Sequence, residues 1–234
     1  MSTISLTAHW NSMWSRHLIP IGLAKARRKM VKKIQTAIQI ILLVLFLFLL
    51  ARGKVQAWMM VFLGSAILGL FLGRFYCGWI CPMNTVMRFQ TWLKKKLHIK
   101  SLAIPTWMTK PWVRIVILVA FLGLAALGII GNKPLPVLPA LFFLGIGLTL
   151  FFPELLWHRY LCPYGTILSL PGRLSKKKMT IEASACVNCG ACAKVCPTAT
   201  IHKPEGGKHQ IEPAECLVCR KCVDACKFNA IHYR

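Results

Sequence analysis

The chain has 234 residues, 56% of them hydrophobic, with a mean hydropathy of +0.56, more apolar than a soluble domain sustains. Its 30 Lys and Arg against 6 acids give a formal +24, yet the basic residues cluster beside apolar runs and the aromatic, basic face of a nucleic-acid binder is missing, so no nucleic-acid partner is expected. The 11 cysteines, eight of them between Cys186 and Cys226, argue against a secreted disulfide scaffold and for metal ligation in a reducing compartment.

Residues 1–33 form a basic segment at the cytoplasmic face. Its stretch "HWNSMWSRHLIP" suits lying on a membrane or gripping a partner subunit. The first long apolar run starts near Ile34, behind basic residues and with no small-residue cleavage site after it, so no cleavable signal peptide is expected. Four apolar runs follow, at about 34–51, 56–73, 113–131 and 135–157. Each is close to the ~20 residues that cross a hydrocarbon core as a helix. Pro139 falls in the first turns of the fourth, and Pro153 kinks or ends it.

The flanking charges orient these spans. Arg16, Lys25, Arg27, Arg28, Lys29, Lys32 and Lys33 precede the first, while Arg74, Arg88, Lys94, Lys95, Lys96, Lys100 and Lys110 lie between the second and third. Arg159, Arg173, Lys176, Lys177 and Lys178 follow the fourth. The opposite turns hold only Arg52, Lys54 and Lys133. Both termini and the middle loop are therefore expected in the cytoplasm. The middle loop is too short and basic for a domain, and its Trp92, Trp107 and Trp112 suit the headgroup region.

Sliding the chain by 81 residues lays Cys81 on Cys162, Pro82 on Pro163, Thr85 on Thr166 and Cys77 on His158. The first two spans then overlay the last two. Two hairpins related by an axis along the membrane normal would bring both Cys-Pro turns together at the cytoplasmic side.

After "SKKK" the composition changes. "CVNCGACAKVCP" and "CLVCRKCVDAC" both carry the C-x2-C-x2-C-x3-C spacing of two-cluster bacterial ferredoxins. In that pattern the fourth cysteine of each motif serves the other cubane. One [4Fe-4S] cluster is thus assigned to Cys186, Cys189, Cys192 and Cys226, the other to Cys216, Cys219, Cys222 and Cys196. A tetrahedral zinc ion suits three cysteines in successive x2 steps poorly. "TATIHK" and "FNAIHYR" read as short strands.

With "GRFYCGWICPMN", "RYLCPYG" and both ferredoxin motifs in place, the chain resembles the NapH-type membrane ferredoxins, related to the C-terminal half of NosR, to MauN and to CcoG-type proteins. The resemblance implies four spans, cytoplasmic clusters and electron passage between the quinone pool and partner redox proteins. Where the family has Cys-x3-Cys-Pro twice, this chain has His158-x3-Cys162-Pro163 the second time.

A Cys-x3-Cys-Pro run sets two thiols one helical turn apart on one face. With the repeat, Cys77, Cys81, His158 and Cys162 form a candidate site for a third iron–sulfur cluster or another metal, with a redox thiol pair or buried structural thiols as the rival readings. Arg74 and Arg159 flank the turns and could compensate cluster charge. His17, His98 and Trp107 are candidates for the vicinity of a quinone headgroup. No triad, paired-acid site or phosphate loop is present, so the sequence yields no catalytic residue of its own.

The expected fold is therefore a mainly α membrane protein, a four-transmembrane-helix bundle of two repeated hairpins, with a small C-terminal α+β ferredoxin domain. The expected regions are 1–33, 34–175 and 176–234. The expected function is that of an iron–sulfur electron-transfer subunit of a quinol-linked oxidoreductase in a bacterial or archaeal cytoplasmic membrane, working with quinone, lipid and other redox subunits (iron–sulfur or cytochrome proteins). The rival reading is a membrane reductase that assists maturation of another metalloenzyme.

Overall fold

A computed structural model of the chain describes residues 21–131 and 136–234. The expectations for His17, Arg16, Lys133 and the "HWNSMWSRHLIP" segment lie outside the described residues. The chain divides into residues 1–37 and residues 38–234.

Helix α1 runs Ile21–Ala51 and begins well before the expected span. The run "AKARRKMVKK" explains this, because Ala, Arg, Lys and Met are strong helix formers and carry the helix into the basic segment. Helices α2 (Ala57–Leu72), α5 (Pro111–Ile130) and α6 (Val137–Phe151) match the other three apolar runs. Of these four, α1 over Ala26–Ala51 and α5 over Pro111–Gly128 are long and apolar enough to cross a membrane. With 16 and 15 residues, α2 and α6 are shorter than expected. Gly73 stops α2 by adopting φ +65°, and Pro153 follows the end of α6 by two residues, where its missing N–H forbids continuation. Pro139 does fall in the first turn of α6.

Large apolar side chains face outward on all four helices. Ile41 is 65% exposed, Ile67 66%, Val119 63% and Phe143 61%. Such a surface is the inverse of a soluble protein's and fits association with lipid. Inside, Phe46, Trp58, Met83, Met87, Phe142, Leu156 and Trp157 build the core. Phe46 meets Trp58 edge-on at 5.3 Å between centroids and Phe142 at 5.0 Å.

Between the hairpins lie short α3 (Phe75–Trp79) and α4 (Pro82–Lys96); after α6 come a π-helical turn (Leu156–Leu161) and α7 (Pro163–Leu174). The tail adds β1 (Met179–Ile181), α8 (Ala191–Lys194), β2 (Ile201–His202), β3 (Gln210–Ile211), α9 (Lys221–Ala225) and β4 (Ile231–Tyr233). Both stretches read as strands are strands. They pair with other partners rather than each other: β4 runs antiparallel to β1, and β2 to β3.

Candidate metal centres

The two Cys-Pro turns are built alike. Cys81 and Cys162 each cap a helix that Pro opens, with φ/ψ of −61°/117° and −73°/110°. The Cys81 amide donates to the Tyr76 carbonyl at 2.9 Å, and the Cys162 amide to the Trp157 carbonyl at 2.9 Å. The Thr85 and Thr166 hydroxyls donate to the Cys81 and Cys162 carbonyls, both at 3.2 Å. Each of these pairs is 81 residues apart, so the sequence repeat is also a repeat of backbone geometry.

One cavity of about 40 Å³ is lined by Cys77, Cys81, His158 and Cys162 together with Arg74, Tyr76, Tyr164 and an aromatic wall of Phe46, Trp58, Phe62 and Phe142. Several polar atoms around it have no hydrogen-bond partner: Arg74 Nε, His158 Nε2, Tyr164 OH and Trp157 Nε1. Buried polar atoms left this way are costly, and a bound group that accepts or coordinates them removes the cost. Burial pushes the Cys162 thiol up to about 11 and the His158 imidazole down to about 4, which leaves the ring neutral and its nitrogen available as a ligand. Three thiols and a neutral imidazole make a donor set that fits an iron–sulfur group.

Arg74 is 1% exposed and threads past two helix glycines: a Cβ on Gly165 would lie 2.6 Å from its Nη2, and one on Gly172 3.1 Å from its Cγ. Its Nη1 donates to Glu215 Oε2 at 2.9 Å. Arg114 Nη1 donates to the other oxygen, Oε1, at 2.6 Å. Two guanidiniums on one carboxylate leave an excess positive charge beside the Cys-Pro cavity, which a thiolate-bound group would balance.

The tail holds two further cavities. One is lined by Cys186, Cys189, Cys192 and Cys226, the other by Cys196, Cys216, Cys219 and Cys222. Each thus gathers three cysteines of one motif and the last of the other. A cubane spreads its four thiolates over four irons, and a cysteine-lined cavity is the feature it needs.

The backbones of the two loops match. Asn188 and Val218 have φ of 59° and 53°, Gly190 and Arg220 72° and 63°, Ala199 and Asn229 48° and 54°. Left-handed conformations at these sites turn the chain tightly between ligands, and holding Val218 there is strained for a β-branched residue. Burial pushes the Cys216 thiol up to about 12. Cys196 is half-buried, which raises its thiol, but hydrogen bonds from Thr200 and Thr198, whose hydroxyls lie 3.3 and 3.6 Å from its sulfur, outweigh this and pull it below its ordinary value.

The second loop sits against the first Cys-Pro turn. A Cβ on Gly78 would collide with the Leu217 carbonyl oxygen and lie 3.0 Å from the Cys219 nitrogen. Trp79 Nε1 donates to the Val218 carbonyl at 3.2 Å, and Gln39 Nε2 to the Gly78 carbonyl at 2.8 Å. Lys221 Nζ donates to Glu154 Oε1 at 2.6 Å, Arg159 to the Thr198 and Ala199 carbonyls at 2.8 and 2.9 Å, and Tyr233 to the Leu72 carbonyl at 2.9 Å. Glu215, Glu154 and Arg114 were not singled out by the sequence reading. A lone charge near the end of an apolar run was the available signal for Arg114 and Glu154. His98 and Trp107 are brought to none of the three cavities: both are exposed, Trp107 by 55%, on the segment after α4.

Comparison with known proteins finds 4Fe-4S domains in this chain. A 4Fe-4S binding domain model matches residues 55–100 and again residues 134–182, one match over each Cys-Pro turn. A 4Fe-4S dicluster domain model matches residues 178–227. The methylamine utilization ferredoxin-type protein MauN of Methylorubrum extorquens is 34% identical over 63% of this chain and 56% of its own length. The ferredoxin-type protein NapH of Haemophilus influenzae is 32% identical over 59% of this chain and 54% of its own, and that of Escherichia coli 29% over 53% and 47%. The chain spans about half the length of the curated relatives it matches. No solved structure matches it. The 4Fe-4S domain models together cover more than half of its residues, and its relatives include proteins named NapH and MauN, so the chain belongs to the NapH-type 4Fe-4S ferredoxin family.

Proposed function

We propose that the chain is a membrane-bound electron-transfer subunit of a quinol-linked oxidoreductase, moving electrons between the quinone pool and partner redox proteins. The observation that carries this reading is the succession of three cysteine-lined cavities, with the Cys216–Cys222 loop seated on Gly78 of the first Cys-Pro turn. Bound [4Fe-4S] clusters would supply one-electron carriers at these places.

The chain's own residues space and tune them. Cys186, Cys189, Cys192 and Cys226 would hold the cluster farther from the helices, and Cys196, Cys216, Cys219 and Cys222 the nearer one. A third iron–sulfur group is proposed at Cys77, Cys81, Cys162 and His158, where the unpartnered His158 Nε2 is the open coordinating atom. Arg74 offsets the thiolate charge from beneath the cavity. The segment that carries His98 and Trp107, with His17, is the proposed vicinity of the quinone headgroup. The four apolar helices are proposed to span the membrane, α2 and α6 as short spans within 34–175, with residues 1–33 and the cluster-bearing 176–234 both cytoplasmic.

Redox-titrated EPR of the anaerobically purified chain, with and without added quinol, tests this. Three interacting iron–sulfur signals reduced by quinol, directly or through a co-purified subunit, are expected. An iron-free chain that still supports electron transfer overturns the reading.

A further inference from the structure

The two tail loops differ in what surrounds them. Thr198, Ala199, Ala214, Glu215, Val218, Lys221 and Tyr233 of the tail hydrogen-bond to the helices and the Cys-Pro turns, and Thr198 among them lines the Cys196/Cys216/Cys219/Cys222 cavity. The other loop is open. Cys189 is exposed, and two apolar side chains beside the same cavity stand in solvent, Val187 at 52% and Phe228 at 51%. Three exposed lysines border them. Lys208 donates to the Cys186 carbonyl at 2.8 Å, Lys194 stands on the short helix that starts at Ala191, and Lys227 lies between Cys226 and Phe228.

We infer that this face is the docking site for a separate, acidic-surfaced redox protein, which exchanges one electron at a time with the chain there. An apolar centre within a charged rim is the make-up of a transient protein interface, and lysines on the rim select an acidic partner and speed its approach. An exposed ligand loop also brings a partner's carrier close, whereas the other loop is packed on the first Cys-Pro turn, with Leu217 1% and Val218 4% exposed. The basic N-terminal segment of the chain is a poor occupant, because its charge has the same sign as the rim. The inference rests on the electron-transfer reading for its purpose, but not for the contact itself.

The test uses the full cluster-loaded chain in nanodiscs of zwitterionic lipid, with a flavodoxin as the acidic probe protein and binding measured by surface plasmon resonance. Reversing the rim as Lys194→Glu, Lys208→Glu and Lys227→Glu is expected to weaken binding by about tenfold or more and to flatten its dependence on salt. Phe228→Ser is expected to weaken it by about threefold to tenfold. Reversing Lys95, Lys96 and Lys100, exposed lysines of the middle loop, is expected to change it by less than about twofold. Equal losses in the two triple variants, or wild-type binding by the rim triple, overturn the proposal. So does quenching of a Phe228→Trp variant by brominated lipid, which would show that the membrane covers this face. Iron content and reduction by a small neutral mediator are measured on each variant. If iron-free chain binds the probe with the same rim dependence, the docking face stands while the electron-transfer reading falls.

Discussion

The two cysteine loops of the tail share ligand spacing and left-handed backbone positions, yet they live in opposite surroundings. In the outer loop Val187 is half-exposed; its counterpart thirty residues on, Leu217, is 1% exposed. Phe228 stands in solvent where Thr198, at the same place in the other motif, is 1% exposed. Spacing therefore fixes what each loop binds, and packing against the Cys-Pro turn fixes what each can do. On the proposed electron path, the buried loop with arginines nearby would exchange with the membrane side and the open one with partners.

The most drastic way to separate the two is through their crossed fourth ligands. Cys196→Ser should remove the buried cluster and spare the open one, although Cys196 belongs to the open motif's sequence. Cys226→Ser should do the converse. Each should lower the tail's iron by about half, with a different EPR signal lost in each case. Loss of the same signal from both variants would show that the motifs do not exchange ligands.

Charge separates them next. Arg74 is fully buried against Glu215, the residue before Cys216, so Arg74→Gln should destabilise the fold by about 3 kcal/mol. It should also lower the midpoint potential of the buried cluster, because a positive charge that favours the reduced form is gone. Glu215→Gln removes a negative charge and should raise that potential. The open cluster should move less in both variants. Potentiometric EPR reads the signs, and mere loosening of the structure would not produce opposite ones.

Much of this was legible in the sequence, and the part that was not has a common cause. The eight tail cysteines declare themselves because cluster ligation is set by short covalent spacing. The repeat shows in Cys81 and Cys162 because an extended Cys before Pro fixes its own backbone. Helix ends at Gly73 and Pro153 were local matters as well, although the shortness of α2 and α6 was not foreseen. The Arg74–Glu215–Arg114 system was illegible, since it joins residues more than a hundred positions apart and depends on how α7 packs. Strands β1 and β3, of three and two residues, were not singled out, because each is fixed by its partner strand, β4 and β2, and not by a local pattern. The early start of α1 was missed because hydropathy marks where a helix meets lipid, and propensity marks where it begins.

The finest contrast is between two glycines, one pressed against the buried loop and one in the open β2–β3 connection. Gly78 has no room, since an added Cβ would strike the Leu217 carbonyl and press on the Cys219 nitrogen, both backbone atoms of the buried loop that cannot swing aside. Gly78→Ala must therefore push that loop off the Cys-Pro turn, at about 1–3 kcal/mol for overpacking. Gly206, in the β2–β3 connection, has φ +68° and nothing within 4 Å of an added Cβ. Gly206→Ala meets only the left-handed backbone penalty, about 1 kcal/mol. The two substitutions add the same methyl group and differ modestly in thermal stability, but only Gly78→Ala should alter the magnetic coupling between the buried cluster and the Cys-Pro site. If both variants keep that coupling, Gly78 is not the seat of the buried loop, and the closeness of the two sites must come from the Trp79–Val218 hydrogen bond and the charged contacts.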